Sequence, residues 1–86
     1  MKIIELENGC YKEIEYYNTK ENKIMYIHYL NSNNQLHNLD GPAAFFYYRN
    51  GEIKRKHYYI NNKEYSKEEF DKKLNIERNL KLLNKK

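Results

Sequence analysis

Three histidines, one cysteine and a pair of closely spaced carboxylates are the groups in this 86-residue sequence with reactive chemistry to offer. Imidazole and thiolate are zinc ligands, yet His28, His37, His57 and Cys10 share no ligand-like spacing. Histidines set among tyrosines on strands read instead as hydrogen-bonded packing residues. Nothing beside Cys10 is expected to favour a thiolate, and an acid, Glu7, is expected opposite it, so no nucleophilic role is expected. Asp40 lies near His37 as an acid near a base would, but the turn chemistry of Asp40-Gly41-Pro42 already accounts for it. Glu13 and Glu15 share one face of a predicted strand, and no second carboxylate cluster completes a cleft around them. The expectation is a protein with no catalytic residues, no metal site and no cofactor.

One constellation points to binding. Phe45, Tyr47, Arg49, Lys54, Arg55, Lys56 and Tyr58 fall on two consecutive predicted strands and mix rings with cations. Single-stranded nucleic acid is held by rings that stack on bases and cations that meet phosphates. Aromatic and arginine-rich patches are equally the hot spots of protein interfaces, and a thin sheet also uses such rings as core. Here the charges alternate with bulky rings and do not extend into a long basic groove. A protein partner is therefore the expectation, with single-stranded RNA as the alternative ligand of the same hairpin.

Those residues are positioned by turns. Asp40-Gly41-Pro42 allows a strand to begin only after it, because proline fixes φ and donates no backbone hydrogen bond. Asn50-Gly51 suits a two-residue type I′ turn, which pairs residues 43–49 with 52–60. Asn8-Gly9 carries the same signal between residues 2–7 and 10–18. A two-residue loop there places Glu7 opposite Cys10, Glu5 opposite Lys12 and Ile3 opposite Ile14. The stretch 23–31, with apolar or aromatic residues on both faces, reads as a central strand. Leu36 and Leu39 are expected to pin the irregular segment 31–42. Ser66-Lys67-Glu68-Glu69 is a capping box that opens a helix, whose stripe runs through Phe70, Leu74, Glu77 or Arg78, and Leu80 or Leu83.

The totals agree with one small domain. Eighty-six residues cannot supply two cores, since chains below about 40 residues usually need metals, disulfides or partners. Ten tyrosines and a mean hydropathy of −1.14 imply a thin aromatic core. A lone cysteine forms no intrachain disulfide, and the first residues hold no apolar run fit for a signal peptide or a membrane span, so a cytoplasmic protein with no membrane association is expected. Residues 1–48 hold four lysines against six acids, and residues 49–86 hold twelve Lys or Arg against six, for a net charge of +4. The fold expected is α+β, a single domain over 1–86: an antiparallel β-meander of about five strands over 2–65, with one C-terminal helix over about 67–83. A ring on each face of the strand at Phe45 to Tyr48, with one helix to cover them, adds the expectation of a homodimer.

The spacing of Asn-Gly, six residues and Tyr-Tyr occurs twice, at Asn8-Gly9 with Tyr16-Tyr17 and at Asn50-Gly51 with Tyr58-Tyr59. Asn33-Asn34 and Asn61-Asn62 look like further turns in which asparagine stands for glycine. Against that background Leu36 to Ala43, LHNLDGPA, resembles the LHREDGPA element of MORN-like β-hairpin repeats of bacteria, phages and giant viruses, and the likeness runs from Asn33 to about Phe70. It departs at Asn38-Leu39, where a charged pair is usual, and at Asn62, where a glycine is. The resemblance implies stacked antiparallel hairpins used as a structural or binding surface, and no reaction. It also implies a phage or mobile-element product, with an inhibitor of a host defence complex, such as an anti-CRISPR protein acting in the host cytoplasm, as the specific form.

Overall fold

The computed structural model describes residues 1–18, 20 and 22–83, with side chains as far as Asn75. Six strands, β1 (Lys2–Glu5), β2 (Tyr11–Tyr16), β3 (Ile24–Leu30), β4 (Ala44–Tyr47), β5 (Ile53–Ile60) and β6 (Lys63–Tyr65), precede one helix, α1 (Lys67–Leu83). They form one antiparallel sheet in chain order, so the α+β meander holds with six strands rather than five. The extra strand follows Asn61-Asn62, where φ is 48° and 71°. Asparagine tolerates this left-handed region, and a two-residue turn pairs Ile60 with Lys63.

The two Asn-Gly loops differ from the expectation, each in its own way. At the first, Asn8 and Gly9 both have positive φ (59° and 77°), as a type I′ turn needs. The Cys10 N–H donates to the Glu7 carbonyl at 3.1 Å, but Leu6 and not Glu7 donates back to the Cys10 carbonyl, at 2.8 Å. Glu7 is thus an extra residue, and the register slips by one: Glu5 pairs with Tyr11, Ile4 with Lys12 and Ile3 with Glu13. Leu6 and Ile4 move by this slip to the face of Cys10 and Ile14, two apolar side chains gained there against the loss of Ile3.

At the second, only Gly51 has positive φ, 93°. Gly51 N–H donates to Tyr48 and Tyr48 N–H to Glu52, at 3.0 and 2.9 Å. This is a three-residue loop, Arg49-Asn50-Gly51, of the kind that ends on a left-handed residue. The two-residue turn is absent, yet Phe46 still pairs with Arg55 and Ala44 with His57, because Lys54 is bulged out between Arg55 and Ile53. Ser32-Asn33-Asn34 repeats the loop, with Asn34 at φ 62° in the glycine position and Asn31 bonded to Asn34 and Gln35.

Between β3 and β5 the chain makes one column in two pieces. Leu36 bridges Leu30, and His37 N–H donates to Tyr29 at 2.9 Å, while Tyr29 N–H donates to Ala43 at 2.7 Å. Residues 38–42 therefore leave the column and return to it. The Asn38 amide closes the excursion, donating to the Pro42 carbonyl and accepting from Asp40 N–H, each at 3.0 Å. Leu39 stands 42% exposed on it, so only Leu36 pins the segment. Buried Asn31 ties the column to the β5–β6 turn: its amide donates to Gln35 and Asn61, and its oxygen accepts from Asn33 and Gln35 N–H. A buried amide so satisfied specifies one arrangement.

Alternation gives the sheet two faces. The front carries Glu5, Glu13, Tyr26, His28, Phe46 and Arg55, and the back carries Lys12, Ile14, Tyr29, Phe45, Lys56 and Tyr58. Helix α1 sits on the back at the β6 end. Its capping box forms, with Ser66 Oγ accepting from Glu69 N–H and Glu69 accepting from Ser66 N–H, and buried Phe70 packs on Tyr58 at 4.8 Å. Leu74 is half-buried, and the side chains expected at Glu77, Arg78, Leu80 and Leu83 lie outside the described residues. Every residue of β3 is half-exposed, which a strand sealed on both faces would not be. The Cα radius of gyration is 15.0 Å with extents of 53 × 26 × 19 Å, against about 12 Å for a compact chain of this length.

Candidate functional site

On the back face three rings form a row. Tyr29 meets Phe45 edge to face at 6.3 Å, and Phe45 stacks on Tyr47 at 6.3 Å with 19° between the planes. Edge and offset contacts of this kind add to what burial alone contributes. Lys12, opposite Tyr29 in the β2–β3 ladder, holds its ammonium 5.7 Å above that ring, and exposed Lys56 is opposite Phe45. The Tyr47 hydroxyl is pushed above its ordinary value by burial and, secondarily, by Tyr29. It therefore stays a neutral donor through the physiological range.

The seven residues expected to act together are divided by the fold. Phe45, Tyr47 and Lys56 share the uncovered back face. Tyr58 shares it too, but lies against Phe70 and anchors the helix. Arg55 is on the front, its guanidinium 5.6 Å above Phe46. Arg49 lies 4.8 Å over Tyr17, whose hydroxyl donates to the Tyr47 carbonyl. Lys54, in the bulge, lies 5.8 Å over Tyr48. Strand pairing instead adds Tyr29 and Lys12 to the site. Their β2–β3 register has no turn dipeptide in the sequence to read it from.

The row continues into a groove of about 980 Å³ between the 38–42 excursion and the first hairpin turn. Leu6, Tyr29, Leu39, Pro42 and Phe45 give it apolar walls, and the acids Glu7 and Asp40 stand along it with no lysine or arginine. Cys10 is half-exposed at its floor.

The front face gathers Tyr26, His28, Phe46 and His57. Tyr26 stacks on His28 at 4.4 Å, and Phe46 meets His28 and His57 at 5.8 and 6.1 Å. His57 Nδ1 lies 2.9 Å from Glu64. Burial pulls His28 below its ordinary value, with Glu13 opposing. His37 Nδ1 accepts from Asn61 N–H at 3.1 Å, a structural bond at the turn. Among the described residues no group of three or more His, Cys, Asp or Glu side chains is placed to hold a metal ion, and no helix is long and apolar enough to cross a membrane. No family model matches the chain, and neither a curated protein nor a solved structure is significantly similar to it.

Proposed function

We propose that this chain is a non-enzymatic binding module that recognises a protein through the back face of its sheet, at Tyr29, Phe45, Tyr47, Lys12 and Lys56. The observation that carries this reading is the acid-edged apolar groove continuous with the ring row. Glu7 and Asp40 would repel a phosphate backbone tracking from the rings into the groove, whereas a protein surface can set a cation against those acids and an acid against Lys12 and Lys56. Bulky rings beside a concave apolar site are also the usual anchors of protein interfaces.

The resemblance at Leu36 to Ala43 directs the choice of partner. It supports a phage or mobile-element inhibitor of a host defence complex, anti-CRISPR proteins being one form, acting in the host cytoplasm. Capture from host lysate, with and without nuclease, tests the reading. The partner is expected to survive nuclease treatment and to be lost with Phe45→Ala or Tyr47→Ala, each weakening binding by on the order of 2 kcal/mol with little salt dependence. Loss of every partner on nuclease treatment, with single-strand binding abolished in the Lys54, Arg55, Lys56 triple alanine variant and intact in Tyr47→Ala, would assign the hairpin to RNA.

A further inference from the structure

The one-residue slip at Asn8-Gly9 sorts charge between the two sides of the first hairpin. Its front carries Glu5, Glu13 and Glu15 with Ile3, Glu15 lying 3.7 Å from the N-terminal ammonium, and its back carries Lys2 and Lys12 with Ile4 and Ile14. A two-residue loop would have mixed these, with Glu5 beside Lys12. Further along, the back adds the exposed strand cations Lys56 and Lys63, while the front carries Arg55, so the opposition of charge is confined to the first hairpin. Ile3 is 61% exposed on the front, and helix α1 lies at the opposite, β6 end of the sheet.

From this charge complementarity we infer that copies of the chain associate front to back through the β1–β2 hairpin, the acidic front of one on the basic back of the next. The inference rests on the charges of the sheet and not on the partner proposed above, although the two share Lys12 and Lys56 and would compete for the back face. Facing sheets pack about 10 Å apart, close to the Debye length of about 10 Å at 0.1 M salt, so opposite faces attract across the gap while two fronts or two backs repel. The 53 × 26 Å plan of the molecule has room for the about 800 Å² per partner of a stable interface. A front-to-back contact joins two different surfaces, so it does not close into a symmetric pair and leaves one of each face free at the ends.

Sedimentation velocity over a concentration series tests this with two charge-reversed variants. Lys2→Glu with Lys12→Glu makes both sides of the hairpin acidic, and Glu5→Lys with Glu13→Lys makes both sides of it basic. Each alone is expected to associate about tenfold or more weakly than the parent, and an equimolar mixture to recover association. The parent should grow past a dimer with concentration and dissociate as salt rises. A parent that stays at 10.6 kDa or stops at a dimer overturns the inference, as does a mixture that stays monomeric. If circular dichroism shows either variant unfolded, the parent's salt series decides, and association unchanged between low and high salt overturns it.

Discussion

The two Asn-Gly dipeptides occupy equivalent places in two hairpins and have different consequences. Asn8 and Gly9 both enter the left-handed region, yet the hairpin they close is one residue out of register. Asn50 stays out of that region, and the hairpin is in register. The dipeptide thus marks where the chain reverses and leaves open how many residues the loop takes. The count is settled by the strands. β4 and β5 lie inside the sheet, with partners on both sides, so a bulge at Lys54 restores the pairing that seats Ala44 and Ile60 in the core. β1 is an edge with one neighbour, so nothing restores its register and the slip persists. A slip of one exchanges faces, and so an edge strand's register decides the charge of each face.

The largest effect separating the two loops is expected at their glycines. Gly9→Val forces a β-branched residue to φ 77° and sets its Cβ 3.1 Å from Ser32 Cβ. Strain at such φ runs to about 1 to 3 kcal/mol, and the contact should bring Gly9→Val to the upper end, about 3 kcal/mol. Gly51→Val has φ 93° but nothing within 4 Å, so it should cost only the strain, about 1 to 2 kcal/mol. Urea denaturation ranks them. Ser32→Gly should recover part of the loss in the Gly9 variant and none in the Gly51 variant; equal recovery would mean that the first hairpin does not pack on the Ser32 loop.

A smaller effect tests the face that the first hairpin shapes. His28 on β3 faces Tyr26, Phe46 and Glu13, and burial depresses its pKa from an ordinary value of 6.5. The unfolded chain binds the proton more readily, so stability from this group is complete above pH 6.5 and is lost as pH falls through the folded value. The thermal midpoint should drop between about pH 7 and pH 5, and less so in His28→Phe. A midpoint that rises over that interval would mean that Glu13, not burial, governs the ring.

What could be read from the residues follows the same division between local and non-local causes. The capping box at Ser66, the strands around the tyrosine pairs and the asparagine turns are local devices, and each forms where its signal lies. β6 was hidden because three residues after Asn61-Asn62 carry too short a pattern to separate a strand from a turn. The column split by residues 38–42 is non-local: it rests on bonds from Tyr29 to His37 and Ala43, which no spacing encodes. The candidate surface divides likewise. Alternation alone sets Phe45, Tyr47 and Lys56 on one face, whereas the removal of Tyr58 beneath Phe70 and the arrival of Tyr29 and Lys12 depend on which elements pack together.

The finest test of the comparison removes the extra residue itself. Because Leu6 N–H already donates to the Cys10 carbonyl across the loop, deleting Glu7 leaves Asn8-Gly9 as a plain two-residue turn between them, with Ile4 still opposite Lys12 and Glu5 opposite Tyr11. No apolar side chain changes face. The change in stability should stay within about 0.5 kcal/mol, as for surface substitutions away from packing. Cross-strand NMR contacts between Ile4 and Lys12 should persist in the deletion variant. If they are replaced by contacts between Ile3 and Lys12, the loop has kept three residues by taking in Leu6, the edge strand takes its register from the loop, and the sorting of acids to the front and lysines to the back would disappear.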